Sequence, residues 1–196
     1  MKRRCVRNEE DADAAEDADD DKMVYQNGNR VYFYAPVSRQ SILSLIRRLR
    51  EAEEAIGSSD IVVADPHIVL FIHSEGGDAY AGLSGMDHIR NSRIPIHTVS
   101  DGFVASAATF LLLGGSKRFT LPHSSILIHQ LTTSFWGKYA DLIDEMENSH
   151  QLMETIKSIY KQFTTMKTKK LNSLLKKELT MSASECVEYG VVSGVL

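Results

Sequence analysis

The chain has 196 residues, 43% of them hydrophobic, which is enough for one sizeable core and short for two independent domains. Charged residues make up 24%, so a wholly disordered, collagen-like or coiled-coil chain is excluded. The formal charge of −4 is concentrated: residues 1–21 hold four cations and nine carboxylates, a net of −5, leaving +1 on the rest and no electrostatic case for nucleic acid.

Residues 9–21 contain only acids and alanine, and like-charge repulsion without apolar surface predicts an unfolded leader over 1–22 and a single folded domain over 23–196. The basic start, Met1 to Arg4, runs into Glu9, Glu10 and Asp11, which is not a secretory signal. No apolar run approaches the roughly 18 residues that span a bilayer. Cys5 and Cys186 stand far apart without a CxxC pair, so a disulfide framework is not expected and a reducing cytoplasm is.

Arg30 to Tyr34, ending at Pro36, suits a short strand. Ser38 offers an N-cap to a helix carrying Ile42, Leu45, Ile46 and Leu49 and stopping at Gly57. After a polar loop, the apolar run His67 to Ile72 predicts a strand covered on both faces in a parallel sheet. A glycine turn, Gly76-Gly77, and a helix from Asp78 follow at once. Ile94 to Ser100 is a further strand, leading past Gly102 to a small-residue helix over Val104 to Leu113. Lys117 to Pro122 and Ser125 to His129 are two more strand candidates. Such alternation predicts an α/β architecture with right-handed crossovers. From Tyr139 a long amphipathic helix is expected, with Leu142, Met146, Leu152, Met153, Ile156, Ile159, Tyr160, Phe163 and Met166 on one broad stripe. A stripe of that length packs either in the core or against another subunit. A short helix, Met181 to Tyr189, closes at Gly190 before an apolar end.

Two strand-turn-helix junctions could carry chemistry. Gly76-Gly77 is either a tight structural turn or a pair of exposed amides able to hold an anion. GxxxxGK[ST] and GxGxxG are both absent, so the anion would be the oxyanion of acyl transfer instead of a phosphate. At the second junction Ser106 is predicted in the first turns of a helix among Ala105, Ala107 and Ala108, with its hydroxyl unobstructed. His129, at the end of an apolar strand, could reach it, and a Ser–His pair is the minimum for nucleophilic activation near neutral pH; a packing serine and a core histidine are the plainer reading. None of the seven histidines forms HExxH or another metal-ligand grouping, so neither zinc nor any other cofactor is expected.

The strings HSEGG at 73–77, GFVASAATFLL at 102–112, Leu121-Pro122, IHQ at 128–130 and MSASECVEYG at 181–190 together resemble the proteolytic subunit of the Clp protease, over about Val31 to Leu196. The resemblance implies a crotonase-like α/β core with a projecting handle helix, for which the stripe from Leu142 is the candidate. It implies Ser106 as nucleophile, His129 as general base, and the main-chain amides of Gly77 and Ala107 as the oxyanion hole. Where relatives carry the third, aspartate member, this chain has Glu178, which can orient an imidazole equally well. A peptide substrate would lie as an added strand beside Asp78 on one side and Gln130, Leu131 and Thr132 on the other. Glu75 replaces the family's proline, and Thr132, Thr133 and Ser134 replace its glycines, so peptide preference is expected to differ. Asn91 stands where relatives present an apolar side chain to an ATP-driven unfoldase.

The function implied is a serine endopeptidase acting on peptides or unfolded proteins inside stacked homo-oligomeric rings, of seven subunits in relatives, fed by an AAA+ unfoldase. Other readings are a specialised enzyme of the same kind without an unfoldase, such as a viral capsid-associated protease, a non-catalytic ring subunit, and a crotonase-type thioester enzyme.

Overall fold

Val24–Asn27 (β1) and Arg30–Phe33 (β2) form an antiparallel hairpin that turns at Gly28, whose φ is 60°. This and the rest of the chain are seen in a computed structural model that describes residues 23–58 and 64–196; the acidic leader and part of the loop after Gly57 lie outside the described residues. Every later strand joins in parallel: β2 to β3 (Ile68–Ser74), β3 to β4 (Ile96–Ala105), β4 to β5 (Lys117–Thr120) and β5 to β7 (Gly194–Val195). Within the sheet β6 (Ser125–Leu127) pairs with Phe103 to Ala105, the far end of β4. The sheet order is therefore β1-β2-β3-β4-β5-β7 with β6 branching from β4, a mixed α/β architecture.

One face of this sheet carries the core. α1 (Arg39–Gly57) starts from a Ser38–Ser41 capping box and buries Ile42, Leu45 and Leu49. α2 (Ala79–Arg90) buries Met86 and Ile89, and α3 (Ala108–Gly114) is buried along its whole length. Fully burying each large apolar side chain contributes about 1.5–3 kcal/mol, and Leu111, Leu112 and Leu113 stand among the largest fully buried ones. The other face is less covered among the described residues. On β3, Ile68, Leu70 and Ile72 are buried, but Val69 and Phe71 are only half-buried and His73 is exposed, which corrects the expectation of a strand covered on both sides. Phe71 stacks on Tyr32 with ring centroids 5.0 Å apart, forming an aromatic ridge across the strands.

Three further expectations are corrected. β4 does not stop before Gly102 but runs on to Ala105, because the positive φ of that glycine (78°) lets it pass under the His73 ring: a Cβ there would stand 2.7 Å from Nδ1. The helix predicted from Val104 therefore begins only at Ala108. β6 likewise ends at Leu127, two residues before His129. Finally, α4 (Tyr139–Phe163) and α5 (Thr168–Leu174) are separate helices. They divide at Thr164, whose hydroxyl donates to the Tyr160 carbonyl at 2.5 Å and accepts from the Met166 amide, the local competition by which threonine ends helices. Met166 thus lies outside α4. α6 (Ala183–Glu188), capped by Ser182, closes the helical set.

Candidate active site

The site is assembled by main-chain geometry at three crossings. At the first, β3 gives way to Gly76 (φ 96°) and Gly77 (φ 146°), and the chain pairs with Val37: the Val37 amide donates to the Gly76 carbonyl and the Asp78 amide to the Val37 carbonyl, both at 2.8 Å. Both glycines are required by contact as well as by conformation. A Cβ on Gly77 would lie 2.3 Å from the Val37 oxygen, and one on Gly76 2.6 Å from the Ser106 Cβ. The Gly77 amide points away from the Val37 pairing and has no acceptor among the described residues.

At the second crossing, β4 ends at Ala105 and α3 begins at Ala108, which leaves Ser106 on the turn between them and not in the helix. Its φ of 52° makes it the only non-glycine residue in the left-handed region among the described residues, a conformation that costs of order 1–3 kcal/mol and persists only when neighbours enforce it. Here they do: the Ser106 amide donates to Leu127 O at 3.0 Å, and its carbonyl accepts from the Thr109 amide at 3.0 Å and from Thr109 Oγ1 at 2.6 Å. The Ala107 amide, like that of Gly77, has no acceptor among the described residues.

The third crossing positions the imidazole. Met181 forms an antiparallel bridge with Ile126, its amide and carbonyl both bonded to that residue at 2.7 and 3.0 Å. Antiparallel pairing matches residues in opposite directions, so three residues outward from that bridge Glu178 falls opposite His129. The Gln130 amide, bonded to Leu175 O at 2.7 Å, holds the two segments together beyond it. The Glu178 Oε1 lies 3.3 Å from His129 Nδ1. The contact is a close approach without hydrogen-bond alignment, since Nδ1 is buried and makes no hydrogen bond. Glu178 is 71% exposed while His129 is 20% exposed, so the carboxylate reaches the imidazole from solvent.

A cavity of about 260 Å³ collects Gly77, Ser106, Ala107 and His129 on its wall, with Phe110 and Tyr160. Ser106 Oγ and the imidazole share this cavity without a hydrogen bond between them. Gln130, Leu131 and Thr132 line it as well, as does the exposed Glu75. Asp78 does not: its carboxylate caps α2, accepting from the Tyr80 and Ala81 amides at 2.8 and 3.1 Å. Among the described residues no group of three or more His, Cys, Asp or Glu is arranged to hold a metal ion, and no helix is long and apolar enough to cross a membrane.

Two residues at the site escaped the sequence reading. Thr109 binds the Ser106 carbonyl, and the Tyr160 hydroxyl meets Thr109 Oγ1 at 2.6 Å. They are 51 positions apart. Tyr160 was legible as part of the α4 stripe, but nothing in the sequence pairs it with a threonine on another helix.

Comparison with known proteins fits this geometry. A family model described as Clp protease matches residues 26–196. Among similar curated proteins, an ATP-dependent Clp protease proteolytic subunit of Deinococcus radiodurans is 32% identical over 67% of this chain and 66% of its own length. The ATP-dependent Clp protease proteolytic subunit 2 of Treponema denticola is 28% identical over 96% of this chain and 92% of its own. The chloroplastic ATP-dependent Clp protease proteolytic subunit 1 of Arabidopsis thaliana is 34% identical over 64% of this chain and 65% of its own. With a family model spanning nearly everything beyond the acidic leader, the chain belongs to the Clp protease family.

Proposed function

We propose that this chain is a serine endopeptidase that hydrolyses peptide bonds within a closed homo-oligomeric ring. The observation that carries the reading is the convergence of a strained serine, an imidazole with a carboxylate at 3.3 Å, and two unclaimed main-chain amides around one cavity.

In this reading Ser106 Oγ attacks the substrate carbonyl while His129 takes its proton, and the amides of Gly77 and Ala107 receive the negative charge that develops on oxygen. The imidazolium is stabilised by Glu178, and His129 then returns the proton to the leaving amine. Water repeats the sequence on the acyl-enzyme. The Ser–His hydrogen bond is made as substrate or neighbouring subunits close the cavity, since such bonds commonly tighten only in the reactive complex. The peptide lies between Gly77 and the segment Gln130 to Thr132, bonded as an extra strand.

The setting follows from the surface. α4 exposes Tyr139, Ile143 and Met146, more apolar area on one helix than a monomer retains without use. Stacked rings joined through this helix, of seven subunits as the resemblance implies, enclose the cavities. The relatives named above are subunits of ATP-dependent proteases, which supports feeding of unfolded chains by an AAA+ unfoldase.

The deciding experiment compares wild type with Ser106→Ala. Wild type should react with a fluorophosphonate probe and cleave unstructured peptides, and the variant should do neither while keeping its assembly size. Equal labelling of the two would remove Ser106 from the nucleophile's role, and no labelling of either would favour a non-catalytic ring subunit. Glu178→Gln should leave assembly intact and reduce kcat by about 10²-fold or more, as loss of a triad orienting group does; an unchanged kcat would take Glu178 out of the triad.

A further inference from the structure

We propose that Thr109 and Tyr160 are positioning residues: their hydroxyls fix the Ser106–Ala107 peptide so that the Ala107 amide faces the cavity. The inference rests on the peptidase reading and specifies how this chain builds one of its two oxyanion donors.

A trans peptide is planar, and its C=O and N–H point in opposite directions. The Ser106 carbonyl and the Ala107 amide belong to one such plane. Holding the carbonyl on the α3 side therefore aims the amide the other way, toward the wall that Ser106, Ala107 and His129 share. The carbonyl is held twice, by the Thr109 amide at 3.0 Å and by Thr109 Oγ1 at 2.6 Å. A threonine hydroxyl has one proton. Because Thr109 gives it to Ser106, the 2.6 Å contact with Tyr160 must be donated by the phenol. Burial raises the Tyr160 pKa and keeps the phenol protonated for that role. The result is a directed relay, Tyr160 O–H to Thr109 O–H to Ser106 C=O.

The relay is enclosed. Tyr160 is 1% exposed and Thr109 fully buried, with the Phe110 ring 6.1 Å from that of Tyr160. Turning the peptide over would break both bonds to the Ser106 carbonyl and leave the Thr109 amide and hydroxyl without an acceptor in a buried setting, where an orphaned donor is costly. That penalty opposes the left-handed strain at Ser106 and makes one orientation of the plane dominant.

The test uses the assembled full-length protein and three variants: Tyr160→Phe, which removes only the phenolic oxygen, Thr109→Val, which removes the hydroxyl at constant shape, and Thr109→Ser, which restores it. Misaiming one oxyanion donor should cost part of the 10²–10³ that deleting one costs. We expect kcat to fall about 10-fold in Thr109→Val and a few-fold in Tyr160→Phe at unchanged KM. Thr109→Ser should return to within about twofold of wild type. Affinity for a peptide aldehyde, which forms a tetrahedral adduct on Ser106, should fall in parallel with kcat. Rates are counted per fluorophosphonate-labelled site, so a loss of folded protein does not mimic the effect. If wild type is labelled and both Thr109→Val and Tyr160→Phe keep its kcat per site, the relay is overturned and the peptidase reading stands. If Thr109→Val fails to assemble, Tyr160→Phe alone decides by the same criterion. If wild type is not labelled at Ser106, the peptidase reading falls and takes the relay with it.

Discussion

The two halves of α4 obey the same periodicity and meet opposite fates. Toward its C-terminus Ile156 and Tyr160 are buried, 4% and 1% exposed, and Tyr160 is wired through Thr109 to the carbonyl of the candidate nucleophile. Toward its N-terminus Tyr139 is 80% exposed, Ile143 50% and Met146 71%, and no element among the described residues covers them. An amphipathic stripe says that a helix buries a face; it does not say against which molecule. The contrast teaches that one half of this helix belongs to the fold while the other presents the face through which we propose that subunits assemble, with the candidate site standing at the junction.

Substitutions in each half test that division. The largest effect on folding is expected from Tyr160→Ala, which empties a fully buried aromatic volume and should cost about 3–5 kcal/mol in chemical denaturation; a loss under about 1 kcal/mol would mean that the buried half is not integral to the core. The paired change Ile143→Lys with Met146→Lys should move the stability of the isolated chain by no more than about 0.5 kcal/mol yet abolish self-association in sedimentation. If the double variant unfolds instead, the exposed half is part of the fold; if it still assembles at the wild-type size, another surface joins the subunits.

Much of the architecture was legible because each element carried a local signal. Ser38 announced α1, the apolar run from His67 to Ile72 announced β3, and Gly190 marked the close of α6. What escaped was decided at a distance. Gly102 reads as a stop, but the approach of His73 turns it into a point where β4 passes beneath a ring. Ser106 therefore reads as lying in the first turn of a helix, whereas it sits before the helix in a left-handed kink. The division of α4 from α5 at Thr164 has no Gly or Pro to mark it. At the site, Ser106, His129 and Glu178 could be named from sequence, but the reason that Glu178 meets His129 is the Met181–Ile126 bridge three residues away. The Thr109–Tyr160 contact left no trace in the sequence, since a contact between two helices is written only in the packing.

The embrace of Val37 by Gly76 and Asp78 has a consequence for how this chain can vary. All the bonds in that contact are made by backbone atoms, so almost any side chain could replace the valine as far as those bonds are concerned. A residue added or removed between β2 and α1 is another matter. It would slide the wrong carbonyl against Gly77, tilt the amide loop, and disable chemistry carried out by residues it never touches. Beyond the burial of Ala35 and Val37 and the cap that Ser38 provides, spacing is what selection would guard in that segment.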